Sequence, residues 1–235
     1  MQQITFIYRG PGAKVRSFRN WDTQFLTKRS FFESDWDERA SLFVLPGGRD
    51  VPYHATFRGK GNEKIRAFVE KGGTFLGMCA GAYYAATFVE FDKGYPSEIC
   101  EARELKFFQG KTVGPLFNTS PYVYDCEEFA RNAKILTAEG KVISTYYNGG
   151  CTFIPTVDSD YQVLASYDDL PGKPLAVIAC SVGKGKAILS GVHLEMGASC
   201  FKPEDPMFKE LRPSDEARNK FLAQAILPST LPPMR

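Results

Sequence analysis

The chain has 235 residues, of which 43% are hydrophobic and 24% charged, a composition that argues against a disordered or fibrous protein. With 29 basic and 27 acidic side chains the formal net charge is only +2, so neither nucleic acid nor an anionic membrane is an expected partner. No stretch approaches the ~20 apolar residues that span a bilayer. The N-terminus also lacks the basic and apolar regions of a signal peptide, so we predict a cytoplasmic location.

The first 90 residues alternate between strand-like and helix-like patterns. We predict strands at residues 4–8, 41–45 and 74–78 and helices at 15–26, 62–71 (with Asn62 as its N-cap) and 80–89. This alternation is typical of an α/β fold with a mostly parallel sheet that helices cover on both faces.

The remainder of the chain predicts additional strands and one terminal helix. Residues 94–139 are interpreted as short strands and loops packed over the sheet. Further strands are predicted at 141–147, 162–167, 175–182 and 187–192, with a hairpin at 183–186, and a final helix at 216–227. Since we find no repeat or linker, we predict one domain over residues 1–235.

The segment Gly77-Met78-Cys79-Ala80-Gly81 has the G-x-nucleophile-x-G form of a nucleophile elbow, with cysteine in place of serine. A strand pattern precedes it and a helix pattern follows it. A thiol in this position lies at a helix N-terminus, where the thiolate is favoured. We therefore predict Cys79 as a nucleophile; the alternative is a buried core cysteine.

A thiol nucleophile needs a base and an orienting group, and the chain has two histidines. His193 follows an apolar run, and Glu195 lies two residues later, on the same side of an extended segment. Parallel strands would bring His193 and Cys79 to one edge of the sheet. The alternatives are a structural histidine and a solvated glutamate. His54 is interpreted as structural or as part of a substrate wall.

Two glycines, Gly47 and Gly48, follow the second predicted strand and can aim backbone N–H groups at an oxyanion, together with the N–H of Ala80. A plain turn is the alternative. The segment around Asn148 and Gly149 predicts a tight turn whose amides line the cleft, with an ordinary hairpin as the alternative.

Other groups in the sequence suggest no cofactor. The six cysteines contain no CxxC pair and are interpreted as free thiols in a reducing compartment. With two histidines and no phosphate loop of Walker type, neither a metal nor a nucleotide cofactor is predicted.

These motifs, in this order, resemble the oxyanion loop, cysteine elbow and His-x-Glu of the class I glutamine amidotransferase superfamily. The resemblance implies a flavodoxin-like three-layer sandwich, Cys79 as nucleophile, His193 as base and Glu195 as its orienter. It also implies Gly47, Gly48 and Ala80 as backbone donors.

A closer resemblance covers nearly the whole chain. Tyr8-Arg9-Gly10-Pro11-Gly12, the run from Pro46 to Asp50 with Tyr53, Cys79 to Tyr84, and Tyr147 to Gly150 are similar to the N-terminal domain of biotin–protein ligases and to stand-alone bacterial relatives. The resemblance implies a biotin ligase catalytic domain as a partner. It also makes a set of residues candidates for a substrate pocket: Arg49, Asp50, Tyr53, Tyr83, Asn148 and Gly149.

The sequence departs from glutamine amidotransferases at one position. These enzymes usually carry glutamine two residues after the second elbow glycine, where this chain has Tyr83. An aromatic ring there reshapes the pocket, so glutamine is not the expected substrate. No module for making biotinyl-adenylate is recognisable, so the chain is not expected to biotinylate by itself. Of Tyr83 and Tyr84, one ring is expected to face the cleft and the other the core.

Two hypotheses from different classes follow. The first is a thiol-dependent hydrolase or amidotransferase that acts on a small amide or carbonyl compound through Cys79. The second is a non-catalytic binding or regulatory module associated with a biotin–protein ligase. A third reading, a protease or deglycase of a related superfamily, is disfavoured because Ala80 stands where those proteins usually place a histidine.

Overall fold

The computed structural model describes residues 4–14, 23–157 and 159–226. Within these ranges the chain forms two sheets. The strands in chain order are β1 (Ile4–Tyr8), β2 (Thr23–Leu26), β3 (Ala40–Leu45), β4 (Thr74–Met78), β5 (Ala86–Phe91), β6 (Ile99–Ala102), β7 (Phe108–Gly114), β8 (Arg131–Thr137), β9 (Val142–Tyr147), β10 (Thr152–Pro155), β11 (Gln162–Tyr167), β12 (Leu175–Val182) and β13 (Gly185–Ser190).

The helices are short, and most precede β5. In chain order they are α1 (Lys28–Glu33), α2 (Trp36–Arg39), α3 (Asp50–Phe57), α4 (Lys60–Glu70), α5 (Ala80–Tyr84), α6 (Pro206–Leu211) and α7 (Asp215–Ile226). None of the helices in the described ranges is long and apolar enough to cross a membrane.

The larger sheet has nine strands in the order β2-β1-β3-β4-β13-β12-β11-β8-β9. The first five strands run parallel to one another, whereas each later strand is antiparallel to its neighbour. The α/β class is therefore confirmed, but the prediction of a mostly parallel sheet holds only for this half. Hairpins such as the one at residues 183–186 reverse the chain after only a few residues, which a parallel crossover cannot do.

Alternation along the central strands divides the core between the two faces of this sheet. Phe43 and Leu45 of β3 join one apolar cluster, while Leu42 and Val44 join the other. The first cluster includes side chains of α1 to α5, and the second includes Leu222 of α7. Since successive side chains of a strand point to opposite faces, both faces of the sheet are buried, as the sequence pattern predicts.

The smaller sheet has the order β10-β7-β5-β6. Its strand β5 corrects the predicted helix over residues 80–89, because α5 ends at Tyr84 and the chain then pairs with β7. Residues 86–91 include threonine, valine and two phenylalanines, which favour a strand once a partner is present. Only β6 and β7 of the 94–139 segment belong here, because β8 joins the larger sheet, contrary to the prediction.

Two further predictions need correction. The predicted helix over residues 15–26 lies outside the described residues as far as residue 22, and its last four residues form β2, which pairs in parallel with β1. Gly59, rather than Asn62, is the N-cap of α4. Asn62 lies inside that helix, where its amide donates to Glu104 (2.9 Å) and its carbonyl oxygen accepts from Tyr84 (2.7 Å).

Candidate active site

Three neighbouring parallel strands bring the predicted site segments to one edge of the larger sheet. β4 lies between β3 and β13, and the three strands end at Leu45, Met78 and Ser190. The paired residues Ser190 and Met78 show that the ends of β13 and β4 are level. The loops that follow therefore start from adjacent points, at the carboxyl edge where open α/β sheets bind ligands.

Cys79 occupies a strained turn between β4 and α5. Its φ of 47° and ψ of −107° are unusual for a residue with a side chain. Its N–H donates to the Ser190 carbonyl (2.8 Å), and its own carbonyl accepts from Ala82 (2.9 Å) and Tyr83 (3.0 Å). A Cβ at Gly81 would overlap the Leu45 carbonyl oxygen, so a glycine there is required by close backbone approach.

His193 and Glu195 form a buried pair just beyond β13. The His193 Nδ1 atom lies 2.7 Å from Oε1 of Glu195, and the side chains are 11% and 2% exposed. This contact orients the ring and leaves its opposite nitrogen, Nε2, for other partners. The backbone N–H of His193 donates to the Tyr146 carbonyl (2.9 Å), an antiparallel bridge that ties the turn to the end of β9.

The His193 ring also faces Cys79. A Cβ at Gly47 would overlap Cε1 of His193 and lie 3.3 Å from its Nε2 and 3.4 Å from the Cβ of Cys79. Burial alone lowers the pKa of His193, but the Glu195 charge and hydrogen bonding by Cys79 and Glu195 outweigh it and raise that pKa to about 10. The His193 ring therefore lies between the Glu195 carboxyl group and the Cys79 side chain, and both neighbours raise its pKa.

Of the three backbone donors predicted for an oxyanion, Gly48 and Ala80 lie at the cavity beside Cys79, whereas Gly47 does not line it. Gly48 pairs with Ala13 in a bridge whose hydrogen bonds run from Lys14 to Gly47 and from Arg49 to Gly12, so the bridge leaves the Gly48 N–H unused. Ala80 is the first residue of α5, where helical N–H groups lack an intrahelical acceptor. Both Gly48 and Ala80 line the cavity that Cys79 lines.

This cavity is narrow, at about 20 Å³ of space for the centre of a water molecule. Its walls are mostly aromatic, and one carboxylate contributes to them. The wall residues besides Cys79 and the two donors are Asp50, Tyr83, Phe91, Tyr122, Tyr124 and Gly149. Mostly aromatic walls with a few polar groups are common in sites that bind small ligands.

Of the two adjacent tyrosines, Tyr83 lines this cavity and Tyr84 lies in the core. The Tyr83 hydroxyl donates to the Gly150 carbonyl (3.0 Å), and burial holds its pKa well above the ordinary value. The Tyr84 hydroxyl donates to Asn62 instead, at a distance from the thiol turn. One ring therefore faces the cavity and the other does not, as the sequence predicts.

Three candidates after the glycine loop take different places. Asp50 lines the cavity and pairs with the buried Arg103 (2.7 Å). Desolvation raises the pKa of Asp50, against the charge of Arg103, which lowers it. Arg49 is exposed and pairs with Asp125 (2.8 Å). Tyr53 is buried behind the loop, and its hydroxyl donates to the Pro46 carbonyl (2.9 Å), so it supports the glycine loop rather than lining the cavity.

Asn148 and Gly149 also reach the site. The Cys79 thiol lies 3.7 Å from the Asn148 carbonyl oxygen, and Gly149 lines the cavity. The side chain of Asn148 accepts from the Tyr122 hydroxyl (2.9 Å) and donates to the Cys126 carbonyl (3.1 Å). His54 lies on α3 beside Tyr84, so its structural reading stays a prediction.

Sequence reasoning missed several residues that shape this site. Tyr122 and Tyr124 come from the region whose pattern was weakest, although its concentration of aromatics was visible. Arg218, which is 3% exposed, donates from α7 to the Leu194 carbonyl (2.8 Å) and fixes the turn between His193 and Glu195. A buried arginine gives no periodic signal in a surface helix.

Across the ranges described, no group of three or more potential ligands is arranged to hold a metal ion.

The chain has a fold of the glutamine amidotransferase class I-like type. It superposes on a crystal structure of a glutamine amidotransferase with a TM-score of 0.54 and 15% identity, covering 88% of this chain and 85% of that one. PurLQS from Thermotoga maritima gives a TM-score of 0.62 and 12% identity over 96% of this chain and all (100%) of that one. At these identities the likeness concerns the fold alone.

Within that class the chain belongs to the family described as "Biotin-protein ligase, N terminal", which matches residues 7–231. It is 33% identical to a biotin–protein ligase of Schizosaccharomyces pombe over 211 residues, 82% of this chain. It is 38% identical to an uncharacterized protein of Chlamydia muridarum over 162 residues, 68% of this chain. The chain spans 33% and 62% of the length of these two relatives. The resemblance seen in the sequence is thus confirmed.

Proposed function

We propose that this chain is a thiol-dependent hydrolase or amidotransferase that acts on a small amide or carbonyl compound. The observation that carries the proposal is that one thiol and two backbone donors line a single cavity, while an imidazole–carboxylate pair lies beside the same cysteine. Each group has the partner that this chemistry needs: a base for the nucleophile, an orienting carboxylate for the base, and donors for an oxyanion.

In the first half-reaction the Cys79 thiolate attacks the carbonyl carbon, and the carbonyl electron pair moves to oxygen. The Gly48 and Ala80 N–H groups stabilise this oxyanion. When the tetrahedral intermediate collapses, the carbon–nitrogen bond breaks and His193 gives its proton to the departing amine. A thioester on Cys79 remains.

In the second half-reaction neutral His193 takes a proton from water, and the hydroxide attacks the thioester. The second tetrahedral intermediate expels the Cys79 thiolate and releases the carboxylic acid. Glu195 keeps the imidazole oriented and balances its positive charge in both halves. Transfer of the released ammonia to an acceptor would need a further protein. Separately, the family resemblance predicts a biotin ligase catalytic domain as a partner.

The test is a panel of small primary amides, esters and thioesters assayed with the wild-type chain and with Cys79→Ala. We expect Cys79→Ala to reduce turnover to the uncatalysed rate, because no thioester can form. Cys100→Ala is the matched control: Cys100 is partly buried in β6, in the smaller sheet, and turnover should be unchanged.

Trapping of an acyl adduct by mass spectrometry gives a second readout. We expect a mass increase on the peptide that contains Cys79 and on none of the other cysteine peptides. Turnover that survives Cys79→Ala contradicts the mechanism, and so does an adduct on another cysteine.

A further inference from the structure

An exposed carboxylate is held by two cations beside the Cys79 cavity. Arg49 pairs with Asp125 (2.8 Å), and Lys14 pairs with the other oxygen of the same carboxylate. The three side chains are between 40% and 54% exposed. The Arg49 guanidinium also lies 4.6 Å from the ring centroid of Tyr124, which lines the cavity, so this ion-pair group stands directly outside the aromatic wall.

The segment that carries Asp125 is fixed unequally along its length. Tyr122 is anchored through its N–H to Asp92 (3.0 Å), its carbonyl to Ser97 (2.7 Å) and its hydroxyl to Asn148 (2.9 Å). The contacts described for the Asp125 side chain are exposed ion pairs, which are the weakest kind. The part of the segment at Tyr124 and Asp125 is therefore easier to displace than Tyr122 before it or Cys126 after it, whose carbonyl accepts from Asn148 (3.1 Å).

Some part of the wall has to move before the proposed chemistry can take place. A cavity of about 20 Å³ holds one or two water molecules and no acyl compound. The floor is formed by strand ends and cannot open without breaking the sheet. The wall at Tyr124 is held by ring contacts with Phe91 and Tyr122 and, from outside, by Arg49, whereas Tyr122 is also held by hydrogen bonds.

The two cations stay in place if Asp125 leaves. The Lys14 N–H donates to the Gly47 carbonyl (2.8 Å), and the Arg49 N–H donates to the Gly12 carbonyl (2.9 Å). Both residues thus belong to the backbone bridge that supports the glycine loop. Opening the wall would therefore leave two positive charges without their Asp125 partner, on backbone that stays anchored at the mouth of the cavity.

We propose that Lys14 and Arg49 form a carboxylate-binding subsite at the mouth of the Cys79 cavity and that Asp125 occupies it in the closed state. A small acyl compound that bears a carboxylate displaces Asp125 as it enters, so the chain's own side chain acts as a competitor for the substrate. The choice of substrate rests on the proposed function, whereas the subsite itself does not require turnover.

The test compares two alkylating reagents of equal size, neutral iodoacetamide and anionic iodoacetate. Either one forms a sulfur–carbon bond with the Cys79 thiolate and releases iodide, and mass spectrometry of the Cys79 peptide gives each rate. We expect Asp125→Asn to raise both rates and to raise the ratio of the iodoacetate rate to the iodoacetamide rate on the order of threefold. Asp168→Asn, which breaks an exposed pair with Lys173 (2.8 Å), is the matched control and should change neither rate.

Two further experiments test whether the rise in the rate ratio comes from Lys14 and Arg49. Adding Lys14→Gln and Arg49→Gln to Asp125→Asn should return the ratio to the wild-type value. Raising the salt concentration to about 1 M, where the screening length is about 3 Å, should lower the ratio in Asp125→Asn. Thermal unfolding of each variant shows that it is folded when it is labelled.

The outcomes separate the subsite from the proposed function. An unchanged ratio in Asp125→Asn overturns the carboxylate subsite, even if both rates rise. An unchanged rate for both reagents overturns the movable wall. If the ratio rises as expected but no substrate of the panel is turned over by the wild-type chain, the subsite stands and the proposed hydrolase function fails.

Discussion

The site consists of two regions that are held together in different ways. The inner region is built on strand ends, and its key contacts are buried: Cys79 to Ser190 through the backbone, and His193 to Glu195 at 2.7 Å. The outer region, from Tyr122 to Asp125, closes over it and ends in exposed ion pairs. The groups that would react are fixed by the sheet, whereas the carboxylate that covers them is held only at the surface. Access to the site can therefore change without moving the reacting groups.

The sharpest way to test the inner region is Glu195→Gln. Glutamine has the same shape and keeps an oxygen that can accept from Nδ1 of His193, but it carries no charge, so His193 loses its balancing anion. We expect Cys79-dependent kcat/KM to fall on the order of 100-fold or more. The pH profile of Cys79 alkylation should also shift, which a purely structural role would not cause.

Glu90→Gln is the control for that variant. Glu90 lies on β5 and pairs with Lys111 (3.0 Å), in the smaller sheet. Its kcat/KM should equal that of the wild type. A loss of less than about threefold in Glu195→Gln would mean that the carboxylate does not assist the imidazole.

The two regions should also respond to opposite ends of the pH scale. The pKa of His193 is raised from 6.5 to about 10, so its stabilising contribution is complete below pH 6.5 and is lost as the pH rises toward 10. The pKa of Asp125 is lowered from 3.8 by hydrogen bonding to Lys14 and by the charges of Lys14 and Arg49. Its contribution is present above pH 3.8 and is lost as the pH falls below that value.

Urea unfolding at intervals from pH 7 to 10 measures the first effect. The free energy of unfolding should decline with rising pH, and the decline should be smaller in Glu195→Gln. The ratio of the wild-type rate to the Asp125→Asn rate for Cys79 and a neutral disulfide reagent, between pH 3 and 5, measures the second effect, because the ratio removes the pH dependence of thiol–disulfide exchange itself. If the free energy of unfolding declines equally with pH in wild type and Glu195→Gln, the buried ion pair between His193 and Glu195 is refuted.

The smallest expected effect lies at the boundary between the regions. Tyr122→Phe removes the hydroxyl that donates to Asn148 but keeps the ring, which packs against Phe91 and Phe129. We expect the free energy of unfolding to fall by about 1 kcal/mol. Alkylation of Cys79 by iodoacetamide should rise about twofold, since the anchored end of the segment loosens.

Tyr95→Phe serves as its control, because Tyr95 is 45% exposed and its hydroxyl can bond to water. Unfolding and alkylation should match the wild type. If iodoacetamide alkylates Cys79 faster in Tyr122→Phe than in Asp125→Asn, the fixed and movable parts of the segment have been assigned the wrong way round.

Sequence patterns located the inner region well because its signals are local. Glycines around Cys79, the glycine pair after β3 and the His-x-Glu spacing each follow a strand that its own residues specify. The outer region has no such signal, since Arg49 and Asp125 are 76 residues apart and meet only through tertiary structure. A shared carboxylate between distant cations cannot be recognised from spacing.

The fold shows the same division. Strands β1, β3 and β4 of the parallel half were predicted within one residue of their observed positions, because buried parallel strands are continuous apolar runs. Strand β13 begins two residues before its predicted start, and β2 was misread as the end of a helix. Residues 86–89 were also misread as helix, since α5 is short and the strand forms by pairing with β6 and β7. The antiparallel half was seen as strands, but their order in the sheet depends on pairings that no single segment specifies.

The bridge between His193 and Tyr146 also lies along one edge of the larger sheet. β9 is a terminal strand of the larger sheet, and an uncovered terminal strand invites another chain to extend it. Two of its outward-facing backbone groups are already occupied, because Ser144 donates its N–H to Ser214 (3.0 Å) and the Tyr146 carbonyl accepts from His193 (2.9 Å). The turn that supplies the imidazole therefore also covers part of this sheet edge.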